Sequence, residues 1–187
     1  GGHHGHPDKL NLMLFAHGRE WALDPGRITY SVPEYNTWCR TTVAHNTVVI
    51  DGRDQKPDTG ELLFFEETPQ HTACLAESTG AYPGWKLKRF LVLTPVFLAD
   101  VFSCSSGKSA RLDWLLHCRG ELAASMAMAK AEESLGKENG YQHLEQVMSV
   151  DSVQDQKFSF KQDDGRILRV FMAGDGEERV FAGQGIG

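Results

Sequence analysis

Near the start of the chain, His6, Asp24 and His45 supply two imidazoles and a carboxylate, ligand types that suit a divalent metal such as zinc. A further histidine, His4, and a tyrosine, Tyr30, are then left over for proton transfer, since imidazole trades protons near neutrality and a positioned phenol can serve as acid or base. In a strand, side chains two apart share a face, so His4 and His6 could look into one pocket while Gly5 keeps the backbone open. Each residue also has a plainer reading. Histidines are often hydrogen-bonded structural residues, Asp24 stands before Pro25-Gly26 where aspartate commonly just forms a turn, and His3-His4-Gly5-His6 looks like a tag remnant. Against the last, the motif runs without a seam into Pro7-Asp8-Lys9-Leu10.

What must position these residues is a set of short strands. Residues 10 to 16 read as a largely buried strand closed by His17-Gly18, with residues 20 to 24 returning antiparallel. Residues 26 to 38 read as an irregular loop carrying Tyr30 and Tyr35, and residues 41 to 50, rich in threonine and valine, as the clearest strand, ended by a turn at Asp51-Gly52. Further strands are expected at 62–65, 72–77, 86–93, 96–102, 111–118, 140–150, 158–160 and 166–172, with a hairpin turn at Asp163-Asp164-Gly165. Residues 121 to 135 fit either a helical turn or two or an extended edge, and the tail after Gly183 has linker composition. Strands at short intervals with no βα alternation define an all-β antiparallel sandwich of one domain over residues 1–187.

With 187 residues, 41% hydrophobic and 24% charged, the chain is ordinary globular protein and long enough for one core. A formal charge of −6 without a basic stripe argues against nucleic acid as partner, and no apolar run is long enough to cross a bilayer as a helix. The basic cluster Lys86-Leu87-Lys88-Arg89 fits a solvated strand face or a substrate contact equally. Cys39, Cys74, Cys104 and Cys118 lack metal or redox spacing and read as buried free thiols. His117 reads as a buried strand histidine, and His3, His17, His71 and His143 as surface residues. Asn46 and Arg40 could contact a carboxylate or order the metal ligands. The chain opens inside a motif without methionine, and reads as a piece of a longer protein.

The stretch His4-Gly5-His6-Pro7-Asp8-Lys9-Leu10, then Asp24-Pro25-Gly26, then Trp38 through His45-Asn46-Thr47 to Asp51-Gly52, resembles the C-terminal β-domain of heparinase II/III-like polysaccharide lyases, including their oligoalginate-lyase relatives. The resemblance is dense over residues 3 to 55 and thins toward His117. It implies a β-domain that follows a helical toroid, here missing, in an enzyme that cleaves uronic-acid glycans of heparan or alginate type by β-elimination. It also implies a structural zinc on His6, Asp24 and His45 that pins loops beside the active site, His4 lining that site, and Tyr30 as general acid and base, with Tyr35 as competitor. Its partners would be an acidic polysaccharide or oligosaccharide and the helical domain, and the parent would be periplasmic or secreted. Three other readings remain open at this point: a carbohydrate-binding module, a purely structural sandwich, and a cupin-like metal enzyme, which lacks its second ligand pair.

Overall fold

Leu14–Ala16 (β1) and Arg19–Ala22 (β2) pair as a tight hairpin because His17 and Gly18 both take positive φ, 53° and 77°, the geometry that matches the twist of the strands on either side. This structure, a computed structural model, describes residues 5–26, 31–152, 155–174 and 178–186. The described residues form fourteen strands in five sheets, every pairing antiparallel, with only short helical turns between them. The expected all-β antiparallel sandwich is the observed architecture.

The largest sheet holds four strands in chain order: Glu61–Glu67 (β4 once Val48–Ile50 is counted as β3), Thr72–Ser78 (β5), Lys86–Leu93 (β6) and Leu98–Ser105 (β7). Strand β3 pairs with Leu112–Trp114 (β8). Glu121–Ala124 (β9), Gln156–Lys161 (β12) and Ile167–Met172 (β13) make a three-stranded sheet with β12 at its centre. Ala129–Lys130 (β10), Glu145–Ser152 (β11) and Glu178–Gln184 (β14) make another, centred on β11.

The core has two parts divided by β3. Val49 faces Tyr35, Trp38, Val43 and Tyr141, whereas Val48 and Ile50 face Ala81, Tyr82 and Leu87. Alternation along a strand sends neighbours to opposite faces, and here both faces are covered, so all three residues are buried. Burying a side chain such as Ile50 or Leu87, each wholly inaccessible, contributes about 1.5–3 kcal/mol.

Several expectations need correction. Residues 41 to 47 do not form a strand: Thr42–Ala44 is a turn of 3₁₀ helix, and only Val48–Ile50 is extended in a ladder. The threonine-rich composition that favours strands is overridden because these side chains and amides are claimed elsewhere. Thr42 N–H donates to Asp54 (2.7 Å), Thr42 Oγ1 accepts from the Gln55 amide (2.8 Å), and Thr47 Oγ1 donates to the Lys9 carbonyl (2.7 Å). Of the two readings held open for residues 121 to 135, the extended one is observed, in β9 and β10 alone, paired with β12 and β11; the rest of the stretch is irregular and none of it is helix. Residues 5 to 8 are outside any strand, so the strand argument for a shared His4 and His6 face does not apply. The linker reading of the tail after Gly183 fails only at Gln184, the last residue of strand β14, which pairs with β11. The loop before Trp38 ends in a wide helical turn at Tyr35–Cys39.

Arg89 is not on a solvated face. Leu87 and Leu91 point inward two residues to either side, so alternation turns Arg89 inward as well, and it is 2% exposed. Lys86 and Lys88 do face out, both toward Glu77. None of the four cysteines is in a disulfide; Cys39 is buried and the other three half-buried, with burial pushing the thiols of Cys104 up to about 11 and Cys118 up to about 12.

Candidate metal centre

Three residues far apart in the chain converge. His6 Nδ1 lies 3.2 Å from His45 Nε2, and His45 Nε2 lies 3.7 Å from an oxygen of Asp24. The potential ligand atoms of all three lie within 4.8 Å of one another, and the two rings meet at 73°. An ion held tetrahedrally by bonds of about 2.0–2.1 Å separates its ligand atoms by roughly 3.3 Å. The two nitrogens already stand at that spacing. Without an ion, the same contact is a hydrogen bond between the rings.

His45 is set up as a ligand by its surroundings. It is wholly buried, and its Nδ1 lies 2.8 Å from the Thr41 carbonyl. A carbonyl only accepts, so Nδ1 carries the proton and Nε2 presents its lone pair toward His6 and Asp24. Burial, the largest influence on its titration, pushes its pKa below the ordinary histidine value and favours the neutral ring that metal ligation needs. Asp24 serves two purposes at once. One oxygen accepts from the Gly26 amide (2.8 Å), the turn-forming role, while the other accepts from Asn11 Nδ2 (2.9 Å) and faces His45.

Asn46 ties the segments that carry these residues. It is fully buried; its Nδ2 donates to the carbonyls of Leu12 (2.8 Å) and Leu23 (2.6 Å), its Oδ1 accepts from His117 N–H (2.5 Å), and its own N–H donates to Asn11 Oδ1 (2.8 Å). Asn46 thus joins backbone segments to one another, whereas Arg40 lies over the Tyr35 ring, 5.9 Å from its centroid. Arg89 completes the frame. Its Nε and Nη2 grip Asp100 at 2.9 and 2.5 Å, and Nη1 donates to the carbonyls of Leu10 (2.6 Å) and Asn46 (2.5 Å). Gln55 fastens residue 9 to the 42–47 segment by accepting from the Lys9 amide and donating to Thr47.

His117 sits just past β8, half-buried, donating from Nε2 to the Val43 carbonyl (2.7 Å), and burial lowers its pKa. His71 and His143, read as surface residues, have partners: His71 bonds Glu66 and Thr68, and His143 bonds Thr37. His3, His4 and Tyr30 lie outside the described residues. Tyr35, the competitor of Tyr30, is 6% exposed and packed in the core. Asn11, Gln55 and Arg89 went unrecognised in the sequence as members of this site. Asn11 had a signal, an amide interrupting an otherwise apolar run, and so did Arg89, an arginine in register with two inward leucines. Gln55 had none.

A β-sandwich with a His-Asp-His cluster beneath its first loops is the class of domain that fold and site define. The chain belongs to the heparinase II/III-like, C-terminal family, whose sequence profile matches residues 1–179. It is 30% identical over 171 residues to an exo-oligoalginate lyase of Saccharophagus degradans, and 30% over 170 residues to an alginate lyase of Stenotrophomonas maltophilia. Each match takes in 75% of this chain but 23% of the relative, so the chain spans under a quarter of these proteins. Among solved structures it resembles the heparan sulfate lyase HepC of Pedobacter heparinus, with a TM-score of 0.56, 16% identity, and coverage of 97% of this chain and 30% of that one. A heparinase III structure gives a TM-score of 0.55 at 16% identity, covering 95% and 29%. At such identities these structures speak for the fold alone.

Proposed function

We propose that this chain is the β-domain of a polysaccharide lyase that cleaves uronic-acid-containing glycans by β-elimination, with a zinc ion on His6, Asp24 and His45 and with His4 and Tyr30 at the reacting centre. The observation that carries the reading is the convergence of the His6, Asp24 and His45 donor atoms within 4.8 Å, in a chain whose relatives are named as alginate lyases. Bound there, zinc would supply a fixed positive node that pins the loops carrying residues 6, 24 and 45, and no bond-breaking step runs through it.

The chemistry falls to side chains. In β-elimination the carboxylate of the sugar is neutralised so that the neighbouring carbon can lose its proton. A base takes that proton, the bond to the leaving glycosidic oxygen breaks, an acid protonates that oxygen, and a double bond remains in the sugar. Tyr30 and His4 are assigned the acid and base roles, with His4 lining the site. Burial of Tyr35 in the core supports Tyr30 as the active tyrosine. The groups that neutralise the carboxylate are assigned to a helical domain preceding this one, and the 187 residues alone are expected to be inactive.

The test uses the full-length protein. Unsaturated product is followed by ultraviolet absorbance on alginate and heparan-type substrates, and metal content by native mass spectrometry. His4→Ala and Tyr30→Phe abolish product formation with unchanged unfolding temperature, while His45→Ala removes the ion. Product from the isolated chain, or full activity in Tyr30→Phe, refutes the assignment.

A further inference from the structure

The solvent face of the three-stranded sheet β9-β12-β13 carries an open groove of about 370 Å³, separate from the metal centre. Its walls include Lys157, Arg169 and Phe171, its floor Ala123 and Ser159. Register explains the grouping. Ser159 is the central partner of both Ala123 and Arg169, and Lys157 lies opposite Phe171 one inward-outward repeat along, so all five project from one face. The small Ala123 and Ser159 leave the hollow that the long side chains rim.

Three properties set this groove apart. Among the described residues it is lined by two cations and no carboxylate, in a chain of formal charge −6. Arg169 has no ion-pair partner among the described residues, and the Lys157 ammonium rests 5.9 Å from the centre of the Phe171 ring. Phe171 is 67% exposed, a large apolar surface held at the rim of a polar hollow. The larger cleft beside the Asp51-Gly52 turn lacks these properties, since Arg53 is paired with Asp51 and Arg111 with Asp113.

We infer that this groove is an accessory binding site for an acidic oligosaccharide, with Arg169 and Lys157 holding carboxylates or sulfates and Phe171 packing against the apolar face of a sugar ring. A guanidinium fork takes a carboxylate through two parallel hydrogen bonds, an ammonium adds a point charge, and an exposed aromatic ring contributes contact without needing a partner. The sheet touches hairpin β1–β2 at its turn, where Arg19 meets Asp163 and Asp164 and Arg166 reaches the His17 carbonyl. Asp24 lies beyond the other end of that hairpin, so the groove would hold the polymer away from the reacting centre. The choice of ligand rests on the reading of the parent as acting on acidic glycans; the site itself rests on the groove.

The experiment measures binding apart from turnover. Full-length protein is titrated calorimetrically with a defined oligouronate, a sulfated glycosaminoglycan oligosaccharide and a neutral glucan oligosaccharide, on a Tyr30→Phe background so that no ligand is consumed. Lys157→Gln with Arg169→Gln is expected to weaken binding of at least one acidic ligand roughly tenfold, and Phe171→Ala roughly threefold, with unchanged unfolding temperature and no effect on the neutral glucan. On the active background, turnover of the shortest cleavable substrate stays unchanged while that of long polymer falls. Equal affinity in parent and variants for both acidic ligands overturns the inference, even if the protein proves to be a lyase. A drop in unfolding temperature for Phe171→Ala also overturns it, because the face is then covered by protein. If the protein binds as expected but yields no unsaturated product from any uronate, the groove stands and the lyase reading falls.

Discussion

Arg89→Met tests whether the frame around the His6-Asp24-His45 cluster depends on one buried cation. The substitution keeps much of the side-chain volume but leaves the Asp100 carboxylate without its bidentate partner and withdraws a donor from the Leu10 and Asn46 carbonyls. Removing one member of a buried ion pair costs about 3–5 kcal/mol, because a charge is left desolvated and alone. Arg89 is 2% exposed and Asp100 16%, so water relieves part of the stranded charge and the lower end, about 3 kcal/mol, is expected. In a chain of this size that lowers the unfolding temperature by roughly 6–12 °C. Urea denaturation followed by fluorescence measures it directly, as a shifted midpoint with unchanged slope. The double variant Arg89→Met with Asp100→Leu removes the orphaned charge and should regain about half of the loss. A single variant within about 1 kcal/mol of the parent, or a double variant less stable than the single, refutes the reasoning.

Two further perturbations probe the same region. Asn46→Asp replaces a donor to the Leu12 and Leu23 carbonyls with an oxygen that repels them, and is expected to weaken zinc binding about 10–100-fold in chelator competition; unchanged affinity would show that the ligands hold their places without it. For pH, His45 and His117 both titrate below the ordinary histidine value because burial penalises their charged forms. The unfolded chain, with histidines near about 6.5, therefore binds more protons than the folded one as pH drops. Stability of the ion-free protein is full above that value and falls as pH is lowered through it. A melting temperature that stays level or rises between about pH 7.5 and 5.5 contradicts the burial argument.

Where structure is set locally, the sequence was readable. The His17-Gly18 and Asp51-Gly52 turns, strand β6 to the residue, and the β12–β13 hairpin all follow from turn residues and alternation that act over a few positions. The run from 41 to 47 was misread because its threonines satisfy their hydrogen bonds with Asp54, Gln55 and Lys9, partners that only the tertiary fold supplies. That His6, Asp24 and His45 come together was legible by residue type and by family resemblance. The frame behind it was less so, since a polar side chain in a strand looks the same on paper whether it meets water or a buried carboxylate.

The short strand Val48–Ile50 is a party wall between two rooms. Widening Val49 pushes on one side and shifts the backbone that Val48 and Ile50 share with the other, so neither half can be remodelled alone. Heating should accordingly melt the two together, in a single cooperative step. For a designer, sites on the outer sheets are free to be retuned, whereas this wall must be redesigned from both sides at once.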